Sequence, residues 1–133
     1  MIVVNFSHPL SDVQRQQIEA QTGQSIDAVL DVPCQMDHEA AFAPQIRALV
    51  DALPISANQW QSEPVVINLP GLHSAAALAI AELHGRMGHF PTCIRLRPVA
   101  GSVPTRYEVA EVINLETVRQ ESRTRRFVGG PGR

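Results

Sequence analysis

Lysine is absent from these 133 residues; all eleven basic side chains are arginine. No chemistry that runs through a lysine is open to the chain, and the GxxxxGK[ST] loop of nucleoside triphosphatases is missing. So is the GxGxxG turn of dinucleotide-binding folds. Cysteine is scarce: Cys34 and Cys93 lie far apart in apolar settings, which predicts two reduced, buried thiols and no disulfide. No Cys/His spacing matches a zinc site, and carboxylates are not gathered as a hard divalent cation requires, so neither metal nor cofactor is expected. Long apolar runs are also missing. The richest, Ser74–Leu83, is too short to span a bilayer, and no basic segment followed by an apolar one opens the chain. A cytoplasmic protein without a membrane partner is expected.

The charge present is unevenly placed. Residues 119–133 carry five arginines against one glutamate, and the rest carries six arginines against twelve carboxylates. The acidic body is no duplex-DNA surface. The basic end suits a polyanion or a docking partner, or is simply a solvated helix end. With 44% apolar residues the chain can bury one core. We expect one domain over 1–126 and a flexible glycine-rich tail over 127–133.

The organising stretch is Val65–Pro91. Val65-Val66-Ile67 reads as a buried strand, Asn68-Leu69-Pro70-Gly71 as a turn, and Ser74–Leu83 as a helix with almost no polar face, ending at His84-Gly85 or at Gly88. Around it, Ile2–Val4 with Phe6 predicts a first, inner strand. Ser11-x-x-Gln14 forms a capping box opening a polar outer helix to Thr22. Ile26–Val32 predicts a second strand. Phe42, Ile46, Leu49, Val50 and Leu53 recur at helical spacing, with the regular part of that helix starting near Ala43. Residues 54–64 are expected as a loop carrying Trp60, the only tryptophan, either packed on the sheet end or free to stack on a base. Thr92–Arg97 and Arg106–Ile113 alternate and are too close for a crossover helix, so they predict an antiparallel pair. Leu115–Arg126 predicts a last helix. The sum is β-α-β-α-β-α-β-β-α, a small Rossmann-like α/β domain with a mostly parallel sheet.

In such a sheet, chemistry sits beyond the carboxyl ends of the parallel strands. Three polar clusters fall there: Asn5, Ser7 and His8 after the first strand; Cys34, Gln35 and Asp37 after the second; Asn68, Gly71, His73 and Ser74 after the third. The turn at Gly71 opens a helix, and free N–H groups at a helix start suit a phosphate. Arg97 is expected to add a cation from the side, unless it and Arg95 pair with Glu108 and Glu111 across the hairpin. His8 and His73 are the candidate acid–base groups near neutral pH, each with a purely structural alternative. His84 and His89 flank a helix end and read as structural.

Several segments resemble, in the same order, the small CRISPR-associated ancillary proteins of type III systems. They are Asn5-Phe6-Ser7-His8-Pro9-Leu10, Asn68-Leu69-Pro70-Gly71, Leu83-His84-Gly85-Arg86-Met87-Gly88-His89-Phe90-Pro91, Arg95-Leu96-Arg97-Pro98 and Arg106-Tyr107-Glu108-Val109. The resemblance implies a Rossmann-like protein that binds a cyclic oligoadenylate second messenger, cyclic tetra-adenylate above all. A two-fold homodimer, formed through the open hairpin edge or the carboxyl face of the sheet, would match the ring's symmetry. On this reading Asn5, Phe6, Ser7, His8, Asn68, Gly71, Leu72, His73, Ser74 and Arg97 form the ligand site, with Phe6 and Leu72 beside adenines. Sequestration that damps antiviral signalling ranks first, because no tight catalytic constellation is evident. The alternatives are a metal-independent ring nuclease using His8 or His73 to help a ribose 2′-hydroxyl attack the adjacent phosphate, and an interaction module docking through the basic last helix.

Overall fold

The computed structural model describes residues 1–126; the expected tail, 127–133, lies outside the described residues. The elements are β1 (Ile2–Asn5), α1 (Asp12–Thr22), β2 (Ala28–Asp31), α2 (Phe42–Asp51), α3 (Ala57–Ser62), β3 (Val65–Asn68), α4 (His73–Met87), β4 (Thr92–Pro98), β5 (Tyr107–Asn114) and α5 (Leu115–Arg125). One five-stranded sheet runs in the order β2-β1-β3-β4-β5. The first four strands are parallel, and β5 returns antiparallel to β4. This is the expected α/β class. β1 and β3 lie inside the sheet, and every residue of β3 is buried.

The sheet has a different core on each face. On one side Val4, Ile67 and Cys93 pack with Ile46 and Val50 of α2, Trp60 of α3, and Ala75, Ala79 and Leu83 of α4. On the other, Val3, Val66, Ile94 and Val109 pack with Leu10 and with Ile18 of α1. Alternation along each strand makes this division: neighbouring residues Val3 and Val4, or Val66 and Ile67, serve opposite cores. Alanine at 75 and 79 lets α4 lie close to the sheet.

α1 has only Ile18 fully inside, which fits an outer helix, yet its polar face is engaged. Gln14 Nε2 donates to the Tyr107 carbonyl at 2.9 Å and Gln21 Nε2 to the Val109 carbonyl at 3.0 Å. Gln17 Oε1 accepts from the Val109 N–H at 2.8 Å. Spaced three and four residues apart, the glutamines share one helix face and occupy the backbone of β5 that the sheet leaves unpaired. The β4–β5 pair carries an irregularity between Arg95 and Leu96, and such bulges bend and twist a hairpin. The bent hairpin brings Leu96 and Val109 onto the core beneath α1. The hairpin edge is therefore not open at Tyr107 and Val109, which removes that stretch as a ready dimer interface.

Two sequence expectations are corrected, and of the two ends expected for α4 the later one is found. Residues 54–64 are not all loop: α3 forms there, opened by a capping box in which Ser56 Oγ accepts from Gln59 N–H and the Gln59 side chain accepts from Ser56 N–H. Its burial drives it, since Trp60 is only 3% exposed and is core rather than a free stacking platform. α4 passes through Gly85 and stops at Gly88, whose φ of +81° is where glycine carries no Cβ penalty. The second strand is shorter than Ile26–Val32, because register with the four residues of β1 ends at Asp31.

α5 follows β5 directly; Asn114 ends the strand and caps the helix, accepting from Thr117 N–H at 3.2 Å. Glu116 fixes the helix to the chain before β4 by accepting from Phe90 N–H at 3.1 Å. That bond, then Gln120, Arg119 and His84, hold its carboxyl below the ordinary value of 4.5. A depressed carboxyl contributes stability above its unfolded pKa and loses it as pH falls through the folded one. Glu116→Gln should therefore be less stable than the parent at neutral pH. The difference should vanish as pH drops below the usual carboxylate range, read as urea midpoints against pH. Separately, Gln17→Ala with Gln21→Ala should cost roughly 1–3 kcal/mol in urea melts and make light scattering concentration-dependent, as the freed strand edge begins to pair.

Candidate functional site at the switch point

β1 continues into α1 on one face of the sheet, whereas β3 continues into α4 on the other. Between neighbouring strands whose connections part this way, the loops at their carboxyl ends diverge and leave a crevice. Here the loop Phe6–Pro9 departs from β1 and the turn Leu69–Leu72 from β3. A cleft of about 510 Å3 lies there, lined by Phe6, Ser7, His8, Pro33, Cys34, Gln35 and Gly71.

The divergence is held by one buried side chain. Asn5 and Asn68 are register partners at the last rung of β1 and β3, and are 0% and 6% exposed. Asn68 Nδ2 donates to Asn5 Oδ1 at 2.9 Å, and the same oxygen accepts from Ser7 N–H at 3.1 Å. Asn5 Nδ2 donates to the His8 carbonyl and to Asp31 Oδ1, both at 2.9 Å. Two donors and two acceptor positions are the full capacity of an asparagine, and all four are used. One amide thus ties β1 to β2, to β3 and to its own following loop. Two backbone bonds extend the tie, Phe6 N–H to the Asn68 carbonyl at 2.9 Å and Val32 N–H to the Asn5 carbonyl at 2.8 Å.

The loop so fixed leaves the side chains of Ser7 and His8 exposed. Across the cleft, Gly71 starts the approach to α4. Leu72 is the N-cap residue and gives no side-chain cap, so among the described residues no side chain answers the first N–H groups of the helix. His73 and Ser74 are the first two helical residues and are exposed. Those N–H groups can receive an anion. Burial pushes the Cys34 thiol above its ordinary 9.0, so it is protonated at neutral pH and no activated nucleophile. Its sulfur stands 4.0 Å from that of Met36.

The structure thus brings together Phe6, Ser7, His8 and Gly71, with Cys34 and Gln35 from the loop after β2. Asn5 and Asn68 lie beneath the cleft as its frame rather than in its wall. Phe6 is buried and offers the cleft only part of its surface; Leu72 is 42% exposed and lies outside the lining. His73, Ser74 and Arg97 also stand outside it. Arg97 Nε is 2.9 Å from Glu108 Oε1 and Arg95 Nε 2.7 Å from Glu111 Oε2, the cross-strand pairing that served as the alternative to ligand binding. Both pairs are solvent-exposed and cheap to exchange. Asp37 is committed to Glu39 N–H. His84 packs on Phe90 with ring centres 4.3 Å apart, and His89 Nδ1 lies 3.0 Å from the Phe90 carbonyl. Pro33 is the lining residue that sequence reading assigned only to a connecting loop. Among the described residues no three His, Cys, Asp or Glu side chains gather to hold a metal ion, and no helix is long and apolar enough to cross a membrane.

A second cleft, about 470 Å3, opens at the amino ends of the strands between Met1, Thr22, Pro64 and Thr92. The Ser7–His8 and Cys34–Gln35 clusters line the carboxyl-end cleft and not this one, so the carboxyl-end cleft is the stronger candidate. Asn5→Ala strips four partners at once and should cost about 2–4 kcal/mol in urea melts. Amide exchange at Ser7 should rise more than at Val66, which sits in the same sheet away from the loop. Comparison with protein-family models, with curated proteins and with solved structures finds no match to this chain.

Proposed function

We propose that the chain binds a cyclic oligoadenylate, cyclic tetra-adenylate in the first instance, at the β1/β3 cleft and acts by holding it rather than by cutting it. The observation that supports this most is the cleft itself. A fixed loop presenting Ser7 and His8 faces Gly71, and the turn at Gly71 leads directly into the uncapped start of α4. Hydroxyl, imidazole and helix N–H groups are donors suited to phosphate oxygens, while Phe6 and Pro33 give apolar wall beside them. The resemblance of the Asn5–Leu10 and Asn68–Gly71 segments to type III CRISPR ancillary proteins names the ligand class. Both segments meet in this cleft.

Sequestration is favoured over ring opening because the two histidines do not converge. His8 lines the cleft and His73 does not, and in-line attack by a ribose hydroxyl needs base and acid on opposite sides of one phosphate. A ring with two-fold symmetry calls for two clefts. With the β5 edge engaged by α1, the homodimer in this proposal forms through the carboxyl face.

The test is calorimetry with cyclic tetra-adenylate, followed by chromatography of the denatured mixture at both ligand excess and ligand deficit. The expected result is saturable binding with half a ring per chain and intact ligand recovered. Linear product beyond one equivalent would replace sequestration by ring-nuclease activity, and absence of binding would remove the ligand class. Ser7→Ala with His8→Ala should weaken binding at least tenfold, about 1.4 kcal/mol, without lowering the urea midpoint.

A further inference from the structure

Among the described residues nothing covers the apolar side of α5. None of its residues is buried, and Val118 is 51% exposed. Yet Leu115 and Val118 do not stand on open surface. With Ile80 of α4 and with Phe90 they line a groove of about 480 Å3, whose other wall is Arg119, Ser122, Arg123 and Arg126. The arginines recur after four and three residues and so form one row along the helix. Arg119 reaches Glu116 only at 3.4 Å and Arg123 reaches Gln120 at 3.5 Å, exposed contacts that exchange at little cost.

The charge decides what covers this face. A second copy docked about a two-fold axis would lay one arginine row against the other, and like charges across an interface are costly. A basic segment meets the same repulsion. An acidic helix meets none. We propose that the α4–α5 groove docks an acidic amphipathic helix of a partner protein. Its apolar residues, spaced i, i+3/i+4, i+7, enter between Ile80, Phe90, Leu115 and Val118, and flanking carboxylates meet Arg119 and Arg123. The eleven residues of α5 extend about 16 Å, room for about three turns alongside. No residue lining this groove lines the β1/β3 cleft, so the two sites do not compete and this inference is independent of the ligand proposed there.

The probe is a stapled helix of about three turns with leucines at that spacing and glutamates on its flanks, titrated into the full chain and followed by amide chemical shifts. A second helix carries lysine in place of glutamate. The expected result is saturable shifts at Ile80, Phe90 and Val118 with the acidic helix and little with the basic one. Affinity should fall as salt rises. Arg119→Glu with Arg123→Glu should weaken it at least about tenfold, and Val118→Asp should abolish it with the circular dichroism spectrum unchanged. Four results would overturn the proposal: no shifts, equal binding of both helices, a dimer that Val118→Asp converts to monomer, or tighter engagement of phosphatidylserine vesicles through the same residues.

Discussion

The carboxyl end of the sheet depends on the Asn5 amide. It is buried, it spends both donors and both acceptor positions, and its four partners belong to three pieces of chain: β2 through Asp31, β3 through Asn68, and the following loop through Ser7 and His8. A buried polar network is favourable only when every member is satisfied. Here it is, and among the described residues no buried side-chain nitrogen or oxygen lacks a partner. The network sits where the connections from β1 and β3 part to opposite faces. The cleft is therefore a property of the topology, and the asparagine pair gives it a fixed width and a fixed rim.

Much of this was legible in the sequence because the signals are local. The Ser11/Gln14 box, the β-branched run at Val65–Ile67, the alternation of Thr92–Arg97 and the short gap to the next strand each carry their own physics, and all four elements form. The carboxyl-end rule then brings Ser7, His8 and Gly71 near one another from sequence alone. What sequence could not give was which candidate residues face inward. Asn5 and Asn68 looked like ligand groups and lie underneath as frame. Arg97 has two readings in the sequence, a phosphate cation or the partner of a hairpin carboxylate, and it is register that pairs it with Glu108.

One miss had a readable signal. Ser56-x-x-Gln59 repeats the spacing of Ser11-x-x-Gln14, and both are complete capping boxes. The second is masked in the sequence by Pro54 and Pro64 on either side and by a helix of only six residues. Helices that short do not persist on propensity; this one is held by Trp60 in the core. The glutamines of α1 had no such signal. A polar face normally means a solvated one, and its meeting with β5 depends on a distant hairpin bending back.

That meeting bears on how copies of this chain can assemble. A sheet usually offers two unfinished margins, and a unit with two can add neighbours indefinitely. Along Tyr107 and Val109 one margin is already answered by Gln14, Gln17 and Gln21, while among the described residues β2 has no strand on its outer side. Three amide side chains on an outer helix thus stand where a neighbouring strand would, and the backbone at Tyr107 and Val109 is answered from within the same chain.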